Sequence, residues 1–536
     1  MEASFQIFLI LLALLAGTAL VARRLHVAPA ILFLLVGIGL AFFPGMPTVE
    51  LPPDLVLLVV LPPLIYSASV AMSWREFKSN LRPIVLLAVG CVIFTAAMVA
   101  AATHYLIGLP WSVGFLLGAI VAPPDVVAPL AIARRLGLPR RILVILEGEG
   151  LANDATTLIL YRFAVAAIMT STFSLPKAAG TFVAIVACEV AFGVAIGWLS
   201  LHARKWSRDP KVEITLSLIT PYLAYWIPEH FGGSGVIATV TCGLFISWNG
   251  PLLIAAATRI QGVFFWDFVI YLIEGMLFLL TGFQMRLLFE KSKAFPLGDI
   301  LTAIGLVSII VIIARFAWVY PATYLPRIWN RRLRDRDPTP PWRWIFVIAF
   351  TGVRGAVSLA AALALPLFMP DGEAFPYRDL ILFVSFGVIL VTLVGLGLGL
   401  PLVVRLLDIT QHGRHESRHE RESEIAARRE LIQASRKKLD AIIAERDLPE
   451  SLARFLETRH ETRVRALPEP AANEGDFTPA TKGSVMVREI IGIERELLHR
   501  LLRDGRITDE TRRRIERDLD LEEAVVDNRE HRGAAL

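Results

Sequence analysis

Apolar stretches of membrane-spanning length recur from Phe5 to about Leu407, and that recurrence restricts the fold more than any other feature of this chain. Crossing a hydrocarbon core of roughly 30 Å takes about 20 helical residues, and about thirteen windows reach that length. They fall near 5–22, 28–44, 54–72, 83–107, 111–134, 141–169, 177–202, 211–228, 232–249, 260–285, 298–325, 343–368 and 379–407. Composition agrees: 55% of the 536 residues are hydrophobic and 19% charged, with a mean hydropathy of +0.58, too apolar for an ordinary soluble protein. The first stretch has no basic region before it and no small-residue cleavage site after it, so it reads as a retained helix. The expected fold is an all-α membrane protein.

A net charge of +5 and a pI of about 9.1 would suit a nucleic-acid partner if the basic residues gathered in a groove. They lie instead between apolar segments and in the C-terminal region, so no nucleic acid is expected. Alternate connections carry Arg23-Arg24, then Arg75, Lys78 and Arg82, then Arg134-Arg135 with Arg140-Arg141, then Arg204-Lys205, Arg208 and Lys211, and finally the run Arg327–Arg336. Roughly twenty basic residues mark that side and about five the other, which makes it cytoplasmic by the positive-inside rule. The reading is a multi-pass protein of the inner (plasma) membrane, in contact with lipid, with its N-terminus outside and its C-terminus in the cytoplasm. Cys91, Cys188 and Cys242 are far apart in apolar stretches and form neither a disulfide framework nor a metal-ligand spacing.

The character changes after Leu407. Residues 1–410 form the transmembrane domain, and 411–536 a cytoplasmic tail dominated by Glu, Arg, Lys and His. Helices are expected over Glu424–Glu445 and Met486–Asp504, the first with Ile425, Leu431, Ile432, Leu439, Ile442 and Ile443 at helical spacing. Pro468–Lys482 reads as a linker inside the tail.

Ionisable groups within membrane helices are costly, so each needs a partner, an aqueous cavity or a function. The sixth window holds LEGEGLANDATTLIL, in which Glu149 and Asn153 share a face at i, i+4 and Asp154 lies one position round. An Asn amide oxygen beside a carboxylate is a hard ligand pair of the kind Na+ or Li+ accepts in place of water. In the fifth window, AIVAPPDVVAP, Pro123 and Pro124 remove backbone donors and should interrupt the helix just before Asp125. In the twelfth, AFTGVRGAVSL, Gly352 and Gly355 bracket an embedded Arg354. Two interrupted helices in comparable places of the two halves point to an inverted-repeat transporter with its site at the midplane. Arg162, Glu189, Glu213, Asp267, Glu274 and Arg315 are also embedded; internal pairing explains them at least as well as a place on the pathway, with Glu274 favoured for the latter because it lies deep in an apolar run.

The phrases LPPLIYSA, LLGAIVAPPDVVA, LEGEGLANDATTLILY, LFLLTGFQM and VRGAVSLAAAL, in this order, resemble the bacterial sodium/proton antiporters of the cation:proton antiporter-1 family, in the NhaP/NhaK-like branch with a charged tail. The likeness covers essentially residues 5–410. It implies a 13-helix protomer with inverted repeats and two interrupted, crossing helices, a dimerisation domain and a mobile core, hence a homodimer working by an elevator-like movement. It places the essential aspartate on Asp154, its paired asparagine on Asn153 and a fifth-helix acidic residue on Asp125, these three being the expected Na+ ligands. It further implies an ion pair between Glu149 and Arg354, and electroneutral exchange from Asn-Asp standing where electrogenic relatives have two aspartates. Two departures remove potential ligands: Gly150 where many relatives have Ser, and Ser67 after LPPLIY where many have Glu. Ser67, Pro124 and Glu274 are retained as pathway residues.

Monovalent cations and protons are thus the expected partners. A potassium/proton exchanger of the same fold and a cation channel with these groups along a pore are the alternatives. No nucleophile–base arrangement, phosphate loop or zinc spacing stands out, so neither an enzyme activity nor a cofactor is expected.

Overall fold

The structure is a computed structural model; it describes residues 2–25, 27–43, 51–170, 174–207, 209–292, 296–369, 371–446, 449–465 and 479–504, with shorter pieces between 506 and 526. It divides into two compact units, Met1–Thr410 and Gln411–Leu536. The first contains α1 (Glu2–Leu25), α2 (Pro29–Ala41), α3 (Leu55–Ala71), α4 (Leu81–Ile107), α5 (Trp111–Val121), α6 (Val127–Arg135), α7 (Arg140–Thr170), α8 (Leu175–Ser207), α9 (Pro210–His230) and α10 (Val236–Leu253). There follow α11 (Ala256–Ser292), α12 (Leu297–Trp329), α13 (Trp342–Phe350), α14 (Ala356–Leu363) and α15 (Arg378–Leu406). Every apolar window coincides with a helix or, at 111–134 and 343–368, with two half-helices flanking a break.

Among the described residues, α4, α7, α8, α11, α12 and α15 are long and apolar enough to cross a membrane, and α2, α3, α5 and Val236–Pro251 are shorter apolar helices. Large apolar side chains such as Trp198, Ile260, Phe264 and Leu402 are exposed, as a surface solvated by lipid tails permits.

Backbone groups that proline frees are satisfied by side chains, as a medium without water requires. Pro62 and Pro63 lack the N–H groups that would bond the carbonyls of Leu58 and Val59. The indole Nε1 of Trp226 donates to Leu58 O (2.9 Å) and the Tyr222 hydroxyl to Val59 O (3.2 Å), both from α9. The chain winds wider than an α-helix over Leu55–Val60 and again over Leu86–Cys91, where Trp318 Nε1 donates to Leu86 O at 2.8 Å.

The second unit contains α16 (Thr410–Arg446), α17 (Glu450–Arg465) and α18 (Pro479–Arg503). Arg436 Nη2 reaches Glu457 (3.4 Å) and ties α16 to α17. Arg495 on α18 reaches Glu523 (2.6 Å) and Asp520 (2.5 Å), hydrogen bonds that raise its pKa. The expected linker Pro468–Lys482 lies outside the described residues as far as 478, and from Pro479 the chain is helical.

Candidate ion-binding site

The site begins with the two prolines. Pro123 and Pro124 carry no N–H, and α5 stops at Val121 to resume as α6 at Val127. A second break, Thr351–Gly355, separates α13 from α14. The breaks touch: Asp125 N–H donates to Val353 O at 2.7 Å. Arg354 then satisfies the end of α5, its Nε donating to Val121 O (2.9 Å), its Nη2 to Ala122 O (3.2 Å) and its Nη1 to Gly352 O. Its charge thereby sits at a helix C-terminus, where carbonyls lack partners and the helix dipole is negative. The Arg354 N–H donates to Thr392 Oγ1 (3.0 Å), which pins the second break to α15.

Asp125 accepts the Val127 N–H at 2.9 Å through Oδ1 and packs against Gly355, where any Cβ would overlap its carboxyl group. That contact explains the glycine before α14. From α7, Asn153 Nδ2 donates to Pro124 O at 2.7 Å. A carbonyl can only accept, so the partner dictates which way the amide faces. The other amide atom, Oδ1, is buried and has no hydrogen-bond partner among the described residues. Asp154 lies half-buried within electrostatic reach of Asp125, and so does the half-buried Glu274 on α11. Pro124 contributes its carbonyl to Asn153; Ser67 is half-buried on α3, and no hydrogen bond joins it to these groups. Among the described residues no group of three or more His, Cys, Asp or Glu is placed to hold a metal ion; the oxygens gathered here are two carboxylates, an amide and backbone carbonyls.

The expected pairing of Glu149 with Arg354 is corrected. Glu149 is gripped by both ends of the Arg315 guanidinium, from Nη1 to Oε1 (2.6 Å) and from Nη2 to Oε2 (2.9 Å), with the two side chains 1% and 0% exposed. Arg315 also donates Nε and Nη2 to Ile348 O (3.2 and 3.0 Å), tying α12 to α7 and to α13. The bidentate grip occupies both Glu149 oxygens, and the Arg354 donors are committed to the carbonyls around the breaks. Arg315 is therefore the residue the sequence reading weighed too lightly. A strongly embedded arginine in an uninterrupted helix is the only signal that points to it.

The neighbouring polar residues have structural tasks. Buried Glu189 accepts N–H groups of Ser234 (2.5 Å), Gly235 (3.2 Å) and Ile237 (3.1 Å), capping α10 from another helix. Arg162 pairs with Glu229 and donates to Gly233 O at 2.5 Å. Gly150 is set by packing: a Cβ there would overlap the Val126 side chain at the first break.

Residues 10–406 match the family described as sodium/hydrogen exchanger, transmembrane. An uncharacterised Na+/H+ exchanger of Mycobacterium tuberculosis is 33% identical over 522 residues, 96% of this chain and 94% of the relative. The Na+/H+ antiporter ApNhaP of Aphanothece halophytica is 31% identical over 441 residues, 81% of this chain and 80% of that one. A sodium, potassium, lithium and rubidium/H+ antiporter of Bacillus subtilis is 32% identical over 416 residues, 74% of this chain and 61% of the relative. The sodium proton antiporter MjNhaP1 of Methanocaldococcus jannaschii, a solved structure, shares the fold with a TM-score of 0.60 at 17% identity, over 76% of this chain and all of that one.

Proposed function

The chain belongs to the sodium/hydrogen exchanger family, and from that membership we propose that it is a secondary antiporter exchanging Na+ or Li+ for H+ across the plasma membrane. The observation that carries the reading at this chain's own site is the buried Asn153 Oδ1, which has no hydrogen-bond partner among the described residues, beside Asp154 and Asp125 at the crossing of two broken helices. Leaving such an atom unpaired costs about 1–3 kcal/mol, a penalty that a partly dehydrated alkali cation relieves. Asp154 holds the cation in one half of the cycle and a proton in the other. Asn153 Oδ1 and Asp125 complete the ligand set, and Pro124 orients the amide.

The charge count follows from the corrected pairing. Glu149 and Arg315 neutralise each other. Arg354 is spent on the carbonyls of Val121, Ala122 and Gly352 and Asp125 accepts the Val127 N–H, and both keep their charges through the cycle. Asp154 alone remains to exchange, one cation against one proton, so the cycle moves no net charge. Glu274 is the one further carboxyl within reach of Asp125, and its part in the cycle is read by the Glu274→Gln variant.

The two broken helices with α7 and α12 form a core that carries the site across in an elevator-like movement, in a homodimer whose N-terminus lies outside and whose tail is cytoplasmic. K+/H+ exchange is the second reading: the Bacillus subtilis relative carries potassium in its name, and Gly150 offers no hydroxyl to select a smaller ion. The test is dequenching of a pH-sensitive dye in everted vesicles with sodium, lithium and potassium in turn. Asp154→Asn should abolish every response while the folded protein is recovered in normal yield; exchange surviving in that variant would remove Asp154 from the site.

A further inference from the structure

A second polar cluster lies away from the crossing, where α4, α7, α12 and the segment entering α13 meet. Arg82, Arg141 and Arg327 line a pocket there, and one carboxylate, Asp337, lies within 3.9 Å of all three. Arg141 Nη2 donates to Asp337 Oδ1 (2.7 Å), and Arg327 donates Nη2 to Oδ2 (2.5 Å) and Nε to the Asp337 carbonyl (3.1 Å). Arg82 is left over. Its Nη1 is 3.9 Å from Asp337 Oδ2, beyond hydrogen-bonding range, and that nitrogen is buried with no hydrogen-bond partner among the described residues. Three guanidinium groups against one carboxylate leave two positive charges uncompensated, in front of walls made by Leu86, Ile145, Val319, Trp344 and Ile345. The cavity is about 40 Å³. On that measure one water takes about 10–15 Å³, so the space admits a single small polyatomic group and not a nucleotide.

We propose that this pocket binds a phosphate oxyanion, supplied either as free phosphate or as the headgroup of an anionic lipid. Guanidinium forks match tetrahedral oxyanions, and an anion accepts the Arg82 donor that Asp337 does not reach. The occupant would also touch the transport core. Ile348 lines the pocket, and its carbonyl receives Arg315 Nε and Nη2, the same arginine that grips Glu149. Occupancy therefore holds together α7 and α13, which carry or flank the exchange site.

The full-length protein is melted in detergent while sodium phosphate is titrated against sodium chloride at matched ionic strength, and in phosphatidylcholine vesicles with and without phosphatidylglycerol. The melting temperature should rise by several degrees with phosphate or with phosphatidylglycerol. Arg82→Gln should remove that rise while leaving the anion-free melting temperature equal or higher, since Arg82 donates no hydrogen bond to Asp337. Arg82→Lys, which keeps the charge and loses the fork, should retain only part of it. A rise with phosphate identifies a soluble occupant, and a rise with phosphatidylglycerol alone identifies the headgroup. If neither anion raises the wild-type melting temperature, or if Arg82→Gln responds as wild type does, the cluster is a clamp around Asp337 and the proposal fails.

Discussion

Asn153 uses its nitrogen for architecture, which leaves its buried oxygen without a hydrogen-bond partner among the described residues and, in the proposed cycle, available to the ion. Asn153→Ala removes that oxygen and should raise the apparent KM for sodium by roughly tenfold or more, in line with about 1–3 kcal/mol for an unmade buried contact; an unchanged KM would show that the amide oxygen is not a ligand. A second residue-scale test concerns the buried ion pair. Glu149→Gln or Arg315→Leu alone strands a charge, a loss on the order of 3–5 kcal/mol, and the double variant should lose much less than the sum. The corresponding cycle between Glu149 and Arg354 should give the smaller coupling, because Arg354 is bonded to Val121, Ala122 and Gly352. A larger coupling to Arg354 would restore the pairing that the family resemblance implied. Asn153, Asp154 and Asp125 were legible in the sequence because carboxylates and amides are rare in membrane helices. Arg315 was not. Its partner is remote along the chain, and which of several embedded charges it meets depends on how α12 is rotated against α7.

At the scale of elements, the candidate site lies where two helices stop and restart against each other. Both breaks could be read from local chemistry, from Pro123-Pro124 in one and from Gly352 and Gly355 around Arg354 in the other. Their mutual contact, Asp125 N–H to Val353 O, could not, since it depends on tertiary packing. The same holds for the widened turns at Leu55–Val60 and Leu86–Cys91, whose freed carbonyls are taken by Trp226, Tyr222 and Trp318 from other helices. Close approach of α7 to the first break is the element-scale property that Gly150 serves. Gly150→Ala should destabilise the protein by about 1–3 kcal/mol through overpacking against Val126, and Val126→Ala in the same chain should recover most of that loss. Equal melting temperatures for Gly150→Ala with and without Val126→Ala would show that this contact does not govern the approach.

For the molecule as a whole, apolar windows and basic connections sufficed to read the class of fold, while the balance of charge within it emerged only from the pairings. Glu149 and Arg315 are matched in the interior of the transmembrane unit, and in the proposed cycle Arg354 and Asp125 keep their charges, which would leave Asp154 as the single exchanging group. An antiporter of that kind is indifferent to membrane potential. The central claim is tested by reconstituting the protein in liposomes, imposing a potassium diffusion potential with valinomycin, and following sodium-driven proton movement. The predicted result is a rate that stays the same whether the imposed potential is zero or large and of either sign. A rate that changes steeply with potential would mean that net charge crosses with each cycle, that Asp125 or Glu274 also titrates, and that the single-carboxylate account is wrong.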